Sequence, residues 1–214
     1  MKSIIVSEYQ KDNLNAGPKA KVDVEQILHQ EFQTDIKTYP NFAQGKIQRG
    51  IRFLEKVFFL KKAALTYDLF FVQAPFTNQA YLLKCMGPKV MIIHDIEGLR
   101  YANESLLKKE LELYRLCDYL IVHNEKMKAY LMEKGIPKKK ILVLELFDYL
   151  CETPPKKKRA FHAEKPTIIF TGCLDKAPFL HQLKAQEMNY EMNVYGVLNK
   201  ALANKKLHYQ GKFS

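Results

Sequence analysis

The stretch PKVMIIHDIEGLR, residues 88–100, decides the fold. Its four consecutive apolar residues, 90–93, are typical of a strand that is buried on both faces of a parallel sheet. Ligands of open α/β sheets bind just beyond the carboxyl ends of such strands. The polar residues that follow the run therefore mark a candidate site, and those able to do chemistry are His94, Asp95, Glu97 and Arg100.

Similar apolar runs alternate with helical spacing along the first two thirds of the chain. Strands are predicted at 3–7, 34–38, 68–73, 90–93, 118–123 and 141–146. Helices are predicted at 22–32, 46–62, 104–116 and 125–134, and a further helix after the strand 68–73 that runs through Tyr81. A loop is predicted at Asn15–Pro18. Strands that alternate with helices of this length indicate a Rossmann-like, doubly wound parallel sheet.

A shift in composition divides the chain. Residues 152–165 contain two prolines and the basic run KKKR, which is typical of a linker. We expect an N-terminal domain over 1–151 and the start of a second α/β domain over 166–214, with strands at 167–171, 191–195 and 207–210 and a helix at 178–186. A domain of this kind needs about 100 residues to close a core. We therefore expect the second domain to be incomplete and the chain to be C-terminally truncated.

The overall composition is that of a water-soluble globular protein. Of the 214 residues, 47% are hydrophobic and 27% are charged, and no apolar run approaches the length of a membrane span. The four cysteines lie far apart without a C-x-x-C pair, which favours reduced thiols over disulfides or a zinc site. We expect a cytoplasmic protein.

The net charge of +11 indicates an anionic partner. No nucleic-acid-binding motif accompanies the charge, so we expect no nucleic-acid partner. In the basic helix 46–62, Ile47, Ile51, Leu54 and Phe58 are spaced for one apolar face. Two interpretations remain open. The face packs on the core, or it lies on anionic lipid headgroups at the inner face of the cell membrane.

A family resemblance rests on short stretches that occur in order. They are NAGPKA (15–20), IIHDIEGLR (92–100), CDYLIVHNEKMKAYL (117–131), FDYL (147–150), FTGCLDKAPFL (170–180), VYG (194–196) and YQGKF (209–213). Together they resemble bacterial GT-B glycosyltransferases of the galactofuranosyltransferase and accessory glucosyltransferase type, which act in surface-glycan and adhesin glycosylation. The resemblance implies a GT-B arrangement in which the first domain binds the acceptor and the second a sugar nucleotide.

The implied function is transfer of a hexosyl group from a nucleoside diphosphate sugar, expected to be UDP-linked, to a glycan or glycoprotein acceptor. The resemblance implies no metal and no cofactor besides this substrate. In the first domain His94 would touch the transferred sugar and Asp95 would orient the ring or the acceptor hydroxyl. The acceptor-binding residues would be Asn15, Gly17, Lys19 and Arg100. The other five histidines are left unassigned.

The second domain would hold the leaving diphosphate, whose growing negative charge needs fixed donors. Gly172 would let backbone approach the phosphates, and Lys176 would add a positive charge. Tyr195 and Gly196 end the next strand, where a nucleobase or ribose could lie, and Gly211 repeats the pattern of a strand followed by glycine.

Several alternatives remain open. His94 could be a buried structural histidine, with Asp95 capping a helix. Asp95-x-Glu97 also resembles the D-x-D pair with which single-domain GT-A enzymes hold a divalent metal, and that reaction would stop in a chelator. Finally, the chain could be a non-catalytic acceptor-binding or assembly subunit, a homo-oligomer, or an inactive fragment.

Overall fold

A computed structural model of the chain describes residues 1–8, 16–39, 45–74, 80–145, 150, 167–172, 174, 177, 179–184, 187–196, 202 and 204–211. The chain divides into two compact units, residues 1–150 and 151–214. The predicted linker, 152–165, lies outside the described residues. No described helix combines the length and the hydropathy that a membrane crossing requires.

Unit 1 is built on a six-stranded sheet in which all pairings are parallel. Its strands are β1 (Ser3–Glu8), β2 (Asp35–Tyr39), β3 (Leu69–Gln73), β4 (Lys89–Ile92), β5 (Tyr119–Val122) and β6 (Ile141–Val143). Their order is β2-β1-β3-β4-β5-β6, so the chain leaves β1 in one direction and returns to pair β3 on its other side. The Rossmann-like parallel sheet predicted from the sequence is confirmed. β6 is shorter than predicted, because Glu145 adopts a positive φ of 67° that no strand continues through.

The helices of unit 1 are α1 (Ala16–Phe32), α2 (Lys46–Ala63), α3 (Ala80–Lys84), α4 (Glu97–Arg100), α5 (Glu104–Arg115) and α6 (Glu125–Glu133). Two of them begin with asparagine caps. The Asn103 side chain accepts a hydrogen bond from Leu106 N at 3.0 Å, and that of Asn124 accepts one from Met127 N at 2.9 Å. These caps explain why the predicted starts of α5 and α6 match the structure.

Both faces of the sheet are covered, and the strands alternate between two cores. Ile4, Val6, Phe70 and Met91 belong to the larger core on the face of α2, α5 and α6. Alternate residues of the same strands belong to the smaller core with Val24 of α1, and these are Ile5, Phe71 and Ile92. This alternation explains why the strands are continuous apolar runs.

The predicted loop at Asn15–Pro18 is wrong over 16–18, because α1 already begins at Ala16. Pro18 lies in the first turn of the helix, where backbone N–H groups have no intrahelical acceptor and a missing one is tolerated. Gly17 and Lys19 are therefore helical residues. Asn15 lies outside the described residues.

Of the two interpretations of the apolar face of α2, packing on the core is wrong, because this face points into solvent. Val57, Leu60 and Ala63 make the core contact instead. The exposed apolar residues, hereafter the α2 ridge, keep between 53% and 81% of their surface and are Ile47, Ile51, Leu54 and Phe58. The helix thus carries two apolar stripes, and helical periodicity alone could not distinguish the one that meets the sheet.

Unit 2 contains a parallel three-stranded sheet in the order β7 (Thr167–Thr171), β8 (Glu191–Tyr195), β9 (Leu207–Tyr209). It has a core of its own, which includes Leu174, Leu180, Met192 and Val194. The predicted helix 178–186 is shorter, since α7 spans Phe179–Gln182. The Leu183 carbonyl accepts a hydrogen bond from Asn204 Nδ2 at 2.9 Å, which replaces the bond that a longer helix would supply.

A pair of glycine substitutions tests the packing of α4 on α5. A Cβ at Gly98 would overlap the backbone of Leu107, whereas one at Gly50 of α2 meets nothing within 4 Å. We expect Gly98→Ala to lower the free energy of unfolding by about 3 kcal/mol through overpacking. Gly50→Ala should raise it by about 0.5–1 kcal/mol through helix propensity. Urea denaturation measures both, and equal effects would contradict the close approach.

Candidate functional site

Polar side chains collect at the carboxyl edge of the unit 1 sheet. Ser7 lies near the end of β1, and Gln73 is the last residue of β3. His94 follows β4 by two residues, and His123 follows β5 directly. Because β1 and β3 are neighbours whose following connections run in opposite directions, this edge includes the topological switch point where open α/β sheets bind ligands.

The Gln73 side chain links three elements of this edge. Its Nε2 donates to Ser7 Oγ and to the backbone carbonyl of Lys21 in α1, both at 3.1 Å. Its Oε1 lies 2.7 Å from Nε2 of His94. Gln73 and Ser7 are fully buried, so these bonds replace the water that the amide and hydroxyl would otherwise bind.

His94 is held in its neutral form. Burial lowers its pKa to about 4, and the nearby positive charge of Lys21 and the imidazole of His123 act in the same direction. Asp95 opposes them. The two imidazole rings lie 6.0 Å apart between centroids, and burial also lowers the pKa of His123. The edge therefore presents two imidazoles that can exchange hydrogen bonds with hydroxyl groups at neutral pH.

Lys21 is the buried cation of this edge, with only 8% of its surface exposed. Burial lowers its pKa, and the carboxylates of Glu97, Glu8 and Glu25 oppose the shift. Glu8 also forms an ion pair with Lys56 of α2. An ammonium among carboxylates, beside an amide and two imidazoles, is a combination suited to binding a polyhydroxylated ligand.

Hydrogen bonds to a side chain of α5 hold the segment that follows the predicted catalytic residues. The buried Glu110 carboxylate accepts the backbone N–H of Glu97 at 3.0 Å and that of Gly98 at 2.8 Å. Burial raises the pKa of Glu110, and these two hydrogen bonds oppose that shift. The alternative in which Asp95 caps a helix is wrong, because the cap position of α4 is Ile96 and Glu110 accepts the first two N–H groups of the helix.

Asp95 and Arg100 pair with each other. Their side chains form an ion pair in which both keep 45% of their surface exposed. A ligand could therefore contact either group at the surface. Among the residues that the structure describes, no three or more His, Cys, Asp or Glu side chains are grouped so that they could hold a metal ion.

The predicted acceptor residue Lys19 is engaged elsewhere on α1. Its Nζ donates to both carboxylate oxygens of Asp23, at 3.0 and 2.9 Å, and to the Leu150 carbonyl at 3.1 Å. Asp23 also accepts the backbone N–H of Leu150 at 3.2 Å. These contacts tie the end of unit 1 to α1, and the structure describes none that joins Lys19 to His94.

Unit 2 brings four of the predicted donor residues together at the carboxyl edge of its own sheet. Gly172 N donates to the Tyr195 carbonyl at 3.0 Å, and Gly196 N donates to the Gly211 carbonyl at 2.9 Å. All three glycines have φ between 95° and 153°, which favours glycine. A Cβ at Gly196 would overlap the Gly172 carbonyl oxygen. The fifth predicted donor residue, Lys176, lies outside the described residues.

Sequence reasoning missed Ser7, Lys21, Gln73 and His123. A signal existed for the last two, because DLFFVQ and DYLIVH end in a polar residue as the run before His94 does. Lys21 precedes Val24 by three residues and Leu28 by seven, so it occupies a core-facing position of α1. A charged residue at such a position indicates a buried polar site.

Comparisons with known proteins identify the family of unit 1. A family model described as Glucosyltransferase 3-like, N-terminal domain, matches residues 2–146. The chain belongs to this family. It is also 27% identical over 122 residues to Glucosyltransferase 3 of Streptococcus gordonii, covering 53% of this chain and 35% of that protein. The chain thus spans about a third of the length of this curated relative. The family match includes every residue of the unit 1 edge.

Solved structures share the fold at low identity. The lipopolysaccharide outer core galactosyltransferase WaaB has a TM-score of 0.61 at 12% identity and covers 99% of this chain and 68% of its own. Anabaena HepE, solved with UDP and glucose, has a TM-score of 0.60 at 13% identity, and the match covers 99% of this chain and 70% of that protein. Staphylococcus aureus MnaA, solved with UDP, has a TM-score of 0.56 at 10% identity, and the match covers 100% of this chain and 69% of that protein. The predicted fold class, shared with GT-B glycosyltransferases, is confirmed.

The neutral state of His94 predicts a pH dependence of stability. The folded-state pKa of about 4 lies below the ordinary 6.5, so the unfolded chain takes up the proton first as the pH falls. Stability is then lost between those two values, by about 3 kcal/mol for this group. We expect His94→Asn to flatten the fall when urea denaturation is repeated from pH 7 to pH 4. An unchanged slope would contradict the burial of a neutral imidazole.

Proposed function

We propose that this protein acts as a glycosyltransferase, which moves a hexosyl group from a UDP-linked sugar to a glycan or glycoprotein acceptor. The observation that carries the proposal is the family match over residues 2–146, because the matched region includes the polar edge around His94. The solved structures of similar fold include proteins bound to UDP, which supports a sugar nucleotide as the ligand class.

Unit 1 would bind the acceptor and meet the transferred sugar. His94 would hydrogen-bond the sugar, and Asp95 would orient the acceptor hydroxyl while its exposed partner Arg100 contacts acceptor groups. Asn15, Gly17 and Lys19 would extend the acceptor surface along the start of α1. Lys19 would keep its bonds to Asp23 and Leu150, so its contribution is to the shape of this surface more than to its charge.

Unit 2 would hold the diphosphate at the carboxyl edge of its sheet, where glycines let the phosphates come close to the backbone. Gly172, Gly196 and Gly211 form a bare edge where no Cβ intervenes between a ligand and the peptide groups. Tyr195 would face the nucleoside, and Lys176 would supply the positive charge that stabilises the leaving UDP. This arrangement implies no metal at the diphosphate.

Isothermal titration with UDP and with UDP-hexoses tests the proposal. We expect binding of UDP, weakened about tenfold or more in Lys176→Ala because a full charge is lost at the phosphates. The matched control is Lys205→Ala, an exposed lysine of the same unit, which should bind as the parent does. His94→Asn should keep UDP binding yet lower hexosyl transfer about a hundredfold, measured as UDP release.

Two outcomes would contradict the proposal. Absence of any UDP binding would favour the non-catalytic acceptor-binding or assembly subunit, or the inactive fragment. UDP release that stops in EDTA and returns with manganese would favour the metal-dependent alternative at Asp95 and Glu97.

We further propose that the protein contacts the inner, anionic face of the cell membrane through the α2 ridge. The ridge is apolar, lies opposite the core-facing side of its helix, and continues at Leu65, which is 90% exposed. Lys61 and Lys62 are exposed beside its C-terminal end, and the whole chain carries a charge of +11. An apolar ridge with flanking lysines on a basic protein is complementary to anionic headgroups.

Sedimentation with vesicles tests this contact. We expect binding to phosphatidylglycerol vesicles at low salt, weakened at high salt and absent with phosphatidylcholine. Phe58→Glu should abolish it, because a carboxylate replaces the ridge side chain that is 71% exposed. The matched control is Phe32→Glu at the end of α1, where the side chain is 67% exposed but lies outside the ridge. Equal loss in both variants, or concentration-dependent dimerisation that only Phe58→Glu removes, would contradict membrane docking.

A further inference from the structure

We propose that Gln73 is a positioning residue, which holds His94 in the tautomer that carries its proton on Nε2 and its lone pair on Nδ1. The hydrogen bonds of the amide carry this inference, and its consequence for substrate rests on the function proposed above. Gln73 would not touch the substrate and would act only through His94.

The orientation of the Gln73 amide follows from one of its partners. The Lys21 carbonyl, 3.1 Å away, can only accept a hydrogen bond, so the group that faces it must be the NH₂. The same NH₂ also reaches Ser7 Oγ at 3.1 Å. The amide oxygen is therefore the atom that faces His94, and an alternative assignment of nitrogen and oxygen would place two acceptors against each other.

The tautomer of His94 then follows. An amide oxygen can only accept, so the bond of 2.7 Å requires a proton on Nε2 of His94. An imidazolium would also satisfy this bond. The surroundings oppose that form, since burial, Lys21 on α1 and His123 after β5 together lower the pKa more than Asp95 raises it. The neutral ring thus has its proton on Nε2.

The tautomer limits what His94 can bind. A neutral ring with a lone pair on Nδ1 accepts a hydrogen bond or a proton at that atom and donates nothing from it. A sugar or acceptor hydroxyl can donate to it, whereas a phosphate oxygen or a carboxylate, which has no proton to give, is disfavoured. A substrate group that reaches Nδ1 of His94 would therefore be a hydroxyl.

Nitrogen NMR of the intact chain with ¹⁵N-labelled histidine tests the tautomer directly. We expect long-range ¹H–¹⁵N spectra at pH 7 to show His94 with a protonated Nε2 and an unprotonated Nδ1. The chain contains its own reference, because Nδ1 of His29 lies 3.0 Å from the Thr34 carbonyl and must carry the proton of that ring when neutral. His94→Asn and His29→Asn assign the signals. An Nδ1 proton on His94, or an equal mixture of the two forms, would overturn the inference.

Two variants separate positioning from folding. Gln73→Met keeps most of the side-chain length but removes the acceptor, so His94 should show both tautomers. Gln73→Glu places a carboxylate against Nε2, so the pKa of His94 should rise and the imidazolium appear near neutral pH. Gln30→Met, at an exposed position of α1, is the matched control and should leave the His94 signals unchanged. Unchanged His94 signals in folded Gln73→Met would overturn the inference, and if neither variant folds the parent spectrum still decides.

These spectra need no ligand, so the tautomer of His94 can be tested independently of the proposed function. A protein that does not bind UDP can still show the Nε2 tautomer, and an active transferase with an Nδ1 proton on His94 would overturn the inference alone. Where transfer is observed, Gln73→Met should lower kcat about tenfold while the KM for the sugar nucleotide changes little.

Discussion

One buried amide holds the polar edge of unit 1 together. Gln73 is completely enclosed, so each of its hydrogen-bonding groups must find a partner within the protein. Its partners lie on β1, on α1 and two residues beyond the end of β4, and these bonds fix the distance between the three elements where the sheet ends. The position of His94 therefore depends on a residue that contacts no solvent.

The charged groups of this edge are also fixed by burial and by their neighbours. Lys21 is kept among carboxylates, while His94 is kept neutral by burial and by that lysine. The Glu110 carboxylate accepts two backbone N–H groups of α4 and so orders the segment between Asp95 and Arg100. The edge consequently presents a half-exposed ion pair and the two imidazoles of His94 and His123, which suits hydroxyl-bearing ligands better than free anions.

The two units build their carboxyl edges differently. Unit 1 presents side chains that are fixed by buried hydrogen bonds, whereas unit 2 presents backbone, with glycines where a side chain would collide. Side chains discriminate among neutral hydroxyl groups, and bare backbone permits the close approach that a diphosphate needs. This difference matches the division of labour proposed for acceptor and sugar nucleotide.

The sequence by itself predicted the parallel sheets, because apolar runs that end in His94, Gln73 and His123 alternate with stretches of helical spacing, as strands buried on both faces do. It also indicated the glycines at 172, 196 and 211, since each follows such a run. Only the tertiary structure decided which stripe of α2 meets the core and that Lys21 lies beside His94. Periodicity reports which residues share a face but not which neighbour covers it, and the partners of Gln73 lie 21 to 66 residues away in the chain.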